Sequence, residues 1–150
     1  MIPLFAPRNA DFANRVRSSF AAQPMMSHLR AKISRVEAGA VDVEIPFQLQ
    51  LTQHNGFLHG GTIATLGDTA CGYSAYSLLD IDQDVLTVEF KINYLSPGVG
   101  ERIVAQGRVL RLGRTLIIAS GDVFAYTGTE QKHVATMLAT MTSVTRPSIP

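Results

Sequence analysis

Asp68 is a lone carboxylate inside an apolar run, and the segment that ends on it, QHNGFLHGGTIATLGD from Gln53, gathers histidines, amides and glycines. A carboxylate in such a place can take a proton from water or attack an electrophilic carbon itself. The paired glycines Gly60 and Gly61 open the same apolar run. The first backbone N–H groups of a helix lack internal partners and carry partial positive charge. Where no side chain intervenes, a carbonyl or an oxyanion could approach them closely. The plainer alternative is a glycine turn followed by an ordinary exposed acid, and the local pattern alone leaves both readings open.

Other chemistries fit less well. His54 and His59 are five positions apart, but no nearby cysteine or carboxylate completes a metal-ligand set. No G-x-S-x-G elbow is present, which argues against a serine hydrolase. His28 and His133 show no readable role. The charge balance, 13 basic against 12 acidic residues, offers no stripe for a polyanion, so nucleic acid is not an expected partner. The lone Cys71 builds neither a disulfide framework nor a cysteine metal site within one chain and suits a reducing cytoplasm. MIPLFAPRNADF, broken by two prolines, does not match a signal peptide, and no apolar stretch is long enough to span a bilayer.

The elements that must hold these residues can be read from periodicity. The 150 residues suit one domain with a real core. Phe12, Val16 and Phe20 recur at helical spacing, with Asn9 or Asp11 as the cap and Pro24 as the stop after about Ala22. Two Val- and Ile-rich runs between Leu29 and Phe47 flank Ala38-Gly39-Ala40 as a hairpin, and Pro46 suggests an edge or a frayed end. From Gly60 to about Leu79 the residues Ile63, Leu66, Ala70, Tyr73 and Ser77 form one face of the only long helix. Strands are expected at about 85 to 95, 101 to 112, 115 to 126 and 132 to 144, mostly as a meander.

In the first of these strands Leu86, Val88, Phe90, Ile92 and Tyr94 share the expected buried face, opposite Thr87, Glu89, Lys91 and Asn93. In LIIASGDVFAY the small face of Ile117, Ala119, Gly121, Val123 and Ala125 would let a helix lie close to the sheet. The expected class is therefore α+β: a curled antiparallel sheet of five to six strands around one long helix, with a short N-terminal helix. With Ile63 buried, Asp68 points about 140° away, toward Ala64, Thr65, Gly72 and Ala75. That small-residue side looks like a contact surface.

His59-Gly60-Gly61, with Gly56 three residues before the histidine and Asp68 nine after it, resembles the signature of hotdog-fold acyl-CoA thioesterases of the phenylacetate-pathway subgroup. The resemblance continues through Gly72, LTVEFKINYLSPG and RLGRT, over most of the chain. It implies a hotdog homodimer, often paired again into a homotetramer, with sites between subunits and no cofactor or metal. It also implies hydrolysis of an acyl-CoA to a free acid and CoA. Asp68 matches the catalytic general base or nucleophile, and Gly61 the residue whose N–H polarises the thioester carbonyl. His59 would shape that pocket. Gln53 stands where the family often has Asn and could hold the water or the departing thiolate. Thr87 matches a small hydroxyl residue that could orient water.

For the CoA moiety the resemblance points to Asn55, Gly60, Tyr94, Ser96, Pro97, Arg111, Gly113, Arg114 and Thr115, with the two arginines toward its phosphates. Related hotdog hydratases carry His five positions after their Asp, where this chain has Tyr73. A non-catalytic hotdog module that binds acyl-CoA remains the alternative, and Asp68 discriminates, because binding alone needs no carboxylate beside a thioester. Acyl preference would depend on Phe57, Leu58, Tyr73 and Tyr76.

Overall fold

A computed structural model describes residues 5–146; the first four residues of the N-terminal stretch read above lie outside that range. The elements are α1 (Phe12–Ala21), α2 (Pro24–His28), β1 (Lys32–Glu37), β2 (Ala40–Pro46), α3 (Gly60–Tyr76), β3 (Gln83–Tyr94), β4 (Arg102–Leu112), β5 (Leu116–Thr127) and β6 (Glu130–Thr145). One antiparallel sheet has the order β1-β2-β4-β5-β6-β3, and α3 packs against its inner face. This is the helix-in-sheet arrangement expected. Among the described residues no helix is long and apolar enough to cross a membrane.

The close approach of α3 has a specific cause. Gly107 of β4 and Gly121 of β5 are cross-strand partners beneath the helix. A Cβ on Gly107 would lie 2.2 Å from the Ala70 carbonyl oxygen, and one on Gly121 would lie 2.9 Å from Cys71 Sγ. Only glycine leaves room there, and overpacking such a seam typically costs about 1–3 kcal/mol. Ile63, Leu66, Ala70, Tyr73 and Ser77 are all buried, as the helical period requires. Two buried hydroxyls join helix to sheet: Ser74 accepts the Val41 N–H and Ser77 the Gly39 N–H. These bonds satisfy backbone donors that would otherwise be buried without partners.

Several expectations need correction. Only β4-β5-β6 form a meander; β3 crosses to the far edge beside β6. Pro46 behaves as expected: it is the last residue of β2, opposite Arg102 and beyond the last β1 partner, so the strand has a local edge there and no N–H is needed. Pro24 does not merely stop a helix, since it opens α2; Asp11 is the N-cap residue of α1 as expected, but it makes no side-chain capping bond. The long helix ends at Tyr76, not Leu79, and Ala75, seven positions beyond Asp68 on the same side, is fully buried, so that side is covered at its far end.

The largest correction concerns β3. A register shift between Thr87 and Glu89 leaves Val88 without a cross-strand partner, which is a β-bulge. Before it, Thr87 stands opposite buried Met141; after it, Phe90, Ile92 and Tyr94 stand opposite buried Ala139, Met137 and Ala135. Cross-strand partners share a face, so Thr87 joins the helix-facing side and Leu86 leaves it. The strand is also less covered than alternation implies, because it is an edge: Leu86, Val88, Phe90 and Tyr94 are exposed.

Candidate active site

His59 is the N-cap of α3, and its Nδ1 accepts the Gly61 N–H at 2.9 Å. That bond needs the Nδ1 lone pair, so a neutral His59 carries its proton on Nε2. The N–H groups of Thr62 and Ile63 bond the His59 carbonyl. On the other side of the same peptide, the Tyr94 hydroxyl donates to the Gly60 carbonyl at 2.7 Å. The Gly60–Gly61 peptide is thus clamped from both ends. Among the described residues the Gly60 N–H has no protein acceptor. The open donor at this helix start is therefore Gly60, whereas Gly61, to which the resemblance gives that role, has its N–H engaged.

The loop before the helix is equally fixed. Gly56 takes φ +81° with open space around it, and its N–H bonds the Gln53 carbonyl. The Gln53 side-chain oxygen accepts the Asn55 N–H, so this amide closes a turn through its oxygen, and among the described residues its NH₂ has no acceptor. Leu58 is buried, and its N–H bonds the Gly98 carbonyl, tying the loop to the segment that follows β3.

Asp68 lies two turns further along α3. Its Oδ1 accepts the Thr87 hydroxyl at 2.8 Å, a contact made by the bulge that turns Thr87 inward. Asp68 is half-buried, and that burial raises its pKa above the ordinary value, with the Thr87 hydrogen bond opposing the shift. A carboxylate with a raised pKa is a stronger base than a solvated one, and among the described residues the second Asp68 oxygen has no hydrogen-bond partner.

The structure sorts the site residues into two groups. Gln53, Gly60, Tyr94, Ser96 and Pro97 line one cleft of about 420 Å³, which Phe57 and Leu58 also reach. Asp68 and Thr87 line another of about 180 Å³, together with Tyr73 and Tyr76. Gly60 and Asp68 are eight positions apart on the helix, about 12 Å of rise, a separation larger than one carbonyl spans. The β4–β5 turn lies at the Thr87 end of the sheet, since Leu116 and Leu86 both pair with Thr142. There Arg111, Arg114 and Thr115 are exposed, neither arginine has an ion-pair partner among the described residues, and Gly113 sits where a Cβ would meet the Leu116 oxygen at 2.5 Å. Ser96 spends its hydroxyl on the His133 carbonyl, and His133 itself pairs with Asp122 at 2.9 Å. Among the described residues no cluster of three or more His, Cys, Asp or Glu side chains could hold a metal.

Ser19 and Gln23 were not expected at the site. They reach the Asp68 cavity from α1 and the α1–α2 corner, and the only local signal was a glutamine preceding a helix-opening proline. No spacing rule connects that corner to α3.

A long helix lying inside a six-stranded antiparallel sheet defines the hotdog fold. The chain belongs to the thioesterase superfamily, whose model matches residues 55–132, and it is a thioester hydrolase. It is similar to a thioesterase family protein from Silicibacter pomeroyi, with a TM-score of 0.88 and 43% identity over 90% of this chain and 99% of that one. Human acyl-coenzyme A thioesterase 13 is 37% identical over 97 residues, 61% of this chain and 67% of that protein. A Bacillus halodurans protein solved with CoA superposes with a TM-score of 0.73 at 25% identity, over 89% of this chain and 84% of that one.

Proposed function

We propose that the protein hydrolyses acyl-CoA thioesters, in the manner of the phenylacetate-pathway subgroup, at sites shared between two subunits. The observation that carries this reading is the Asp68–Thr87 pair, a half-buried carboxylate with raised pKa held by one oxygen. Asp68 removes a proton from water as the water oxygen attacks the thioester carbon. The carbonyl oxygen, becoming an oxyanion, takes the open Gly60 N–H. The tetrahedral intermediate collapses with loss of the CoA thiolate, which recovers the proton, and the acid is left. The free NH₂ of Gln53 and the Nε2–H of His59 are the donors available near the helix start for the departing sulfur or its water.

The separation of Gly60 from Asp68 supports a shared site. The free edge of β3 supports its geometry, because a twelve-residue edge strand with exposed Leu86, Val88 and Phe90 is a template for pairing. Pairing β3 with its copy about a twofold axis runs the two α3 helices antiparallel, so Asp68 of each faces the helix start of the other. Arg111 and Arg114, unpaired at the Thr87 end, then lie on the side from which the CoA phosphates approach. Cys71, buried with its thiol pushed up to about 12, stays inert and fits a cytoplasmic setting. Release of free thiol from a panel of acyl-CoAs, compared between wild type and Asp68→Ala, tests the reading; equal rates in the two proteins would overturn it.

A further inference from the structure

Strand β3 holds α3 at two places. The Thr87 hydroxyl bonds Asp68 at 2.8 Å, and the hydroxyl of Tyr94, the last residue of the strand, bonds the Gly60 carbonyl at 2.7 Å. Thr87 and Tyr94 are seven positions apart, an odd number, and a regular strand would turn them to opposite faces. The unpaired Val88 supplies the extra residue that corrects this. Their β6 partners, Met141 and Ala135, are six positions apart and both buried, so both hydroxyls fall on the helix side. The bulge thus gives one strand two tethers on one helix.

The Tyr94 tether acts at a weak point. Two successive glycines open α3, and glycine has the freest backbone, here at a helix end that lacks intrahelical partners. Two peptide planes meet at Gly60. The His59–Gly60 plane carries the open donor, and the Thr62 and Ile63 N–H groups hold its carbonyl. The Gly60–Gly61 plane is held at its N–H by His59 Nδ1 and at its carbonyl by Tyr94. Of these holding groups only Tyr94 lies outside residues 59–63. Its ring also covers Gly60, since a Cβ there would lie 3.2 Å from Tyr94 Cζ and from the hydroxyl oxygen. Burial raises the Tyr94 pKa above its ordinary value, so the hydroxyl keeps the proton it donates.

Resting on the thioesterase reading, we infer that Tyr94 is a positioning residue, which fixes the direction of the Gly60 N–H by holding the Gly60 carbonyl to the end of β3. This differs from the CoA contact that the resemblance gives it, and kinetics separate the two. A donor fixed before the reaction stabilises charge that develops in the transition state, so loosening it lowers kcat; a lost CoA contact raises KM. The test is thiol release by Tyr94→Phe, which keeps the ring, with thermal unfolding as the check on folding. The expected result is a kcat roughly three- to tenfold lower, one neutral hydrogen bond's worth, with KM within about twofold of wild type. A raised KM with kcat unchanged would overturn the inference. Placed on Gly60→Ala, which keeps the donor, Tyr94→Phe should repeat that loss; placed on Gly60→Pro, it should add none to the residual rate. Equal losses on both backgrounds would overturn the route through Gly60. If wild type hydrolyses no acyl-CoA, the thioesterase reading fails separately, and hydrogen exchange of the Gly61 amide, followed by NMR, decides. Faster exchange in Tyr94→Phe upholds the positioning role, and unchanged exchange overturns it.

Discussion

Gly60→Pro deletes one donor and little else. Gly60 is the first residue of α3, where proline is tolerated because that N–H has no intrahelical acceptor. His59 already has φ −61° and ψ 136°, the extended conformation that a residue before proline adopts. The substitution does bring a Cβ, which would lie 3.2 Å from the Cζ and hydroxyl oxygen of Tyr94, so that ring must move by a few tenths of an ångström. Gly60→Ala brings the same Cβ and keeps the N–H, so the difference between the two variants isolates the donor. Loss of one oxyanion donor costs about 10²–10³ in kcat, or about 2.7–4 kcal/mol. The loss should fall on kcat more than on KM, since the charge on that oxygen develops in the transition state. Steady-state thiol release at saturating acyl-CoA measures it, with thermal unfolding as the check on folding. Equal kcat in the proline and alanine variants would refute the assignment of Gly60.

Three further outcomes are expected. Thr87→Val removes the bond that lowers the Asp68 pKa, so the acid limb of the kcat/KM profile should move to higher pH; a profile left in place would contradict the contact's role. Asp68 has a folded pKa above its unfolded value, so its contribution to stability is fully present below the unfolded pKa and is lost as pH rises through the folded one. Asp68→Asn should therefore unfold at a higher temperature than wild type at pH 8, and less so at pH 4, while losing turnover by about 10²–10⁴. Gly72→Ala should gain about 0.5–1 kcal/mol of helix stability in thermal unfolding while lowering kcat/KM for acyl-CoA, because its methyl enters the cavity beside Asp68. Unchanged kinetics would remove Gly72 from the pocket.

What could be read from the sequence depended on how local its physical cause was. The buried stripe Ile63, Leu66, Ala70, Tyr73 and Ser77 follows from helical period alone, and the small face around Gly121 announced that a helix would lie close to it. The β3 bulge was not legible. Strict alternation from Leu86 to Tyr94 placed Thr87 on the wrong face, since an unpaired Val88 shows only against the β6 register. The edge position of β3 depends on a crossover that no residue near it encodes. The distinction between Gly60 and Gly61 turned on one side chain, because His59 as a cap occupies one donor and leaves the other. Ser19 and Gln23 reach the cavity only through packing of α1 over α3, a contact between distant segments.

The shared site is tested most directly by mixing subunits. Asp68→Asn and Gly60→Pro chains are purified separately, each inactive in thiol release, then dissociated together and reassembled. In a twofold dimer the heterodimer holds one site with both defects and one site with neither. Random reassembly makes about half the dimers mixed, so about a quarter of wild-type activity should return. No recovery in a mixture shown to contain heterodimers would mean that Asp68 and Gly60 serve the same carbonyl from one chain, and the divided site would be wrong.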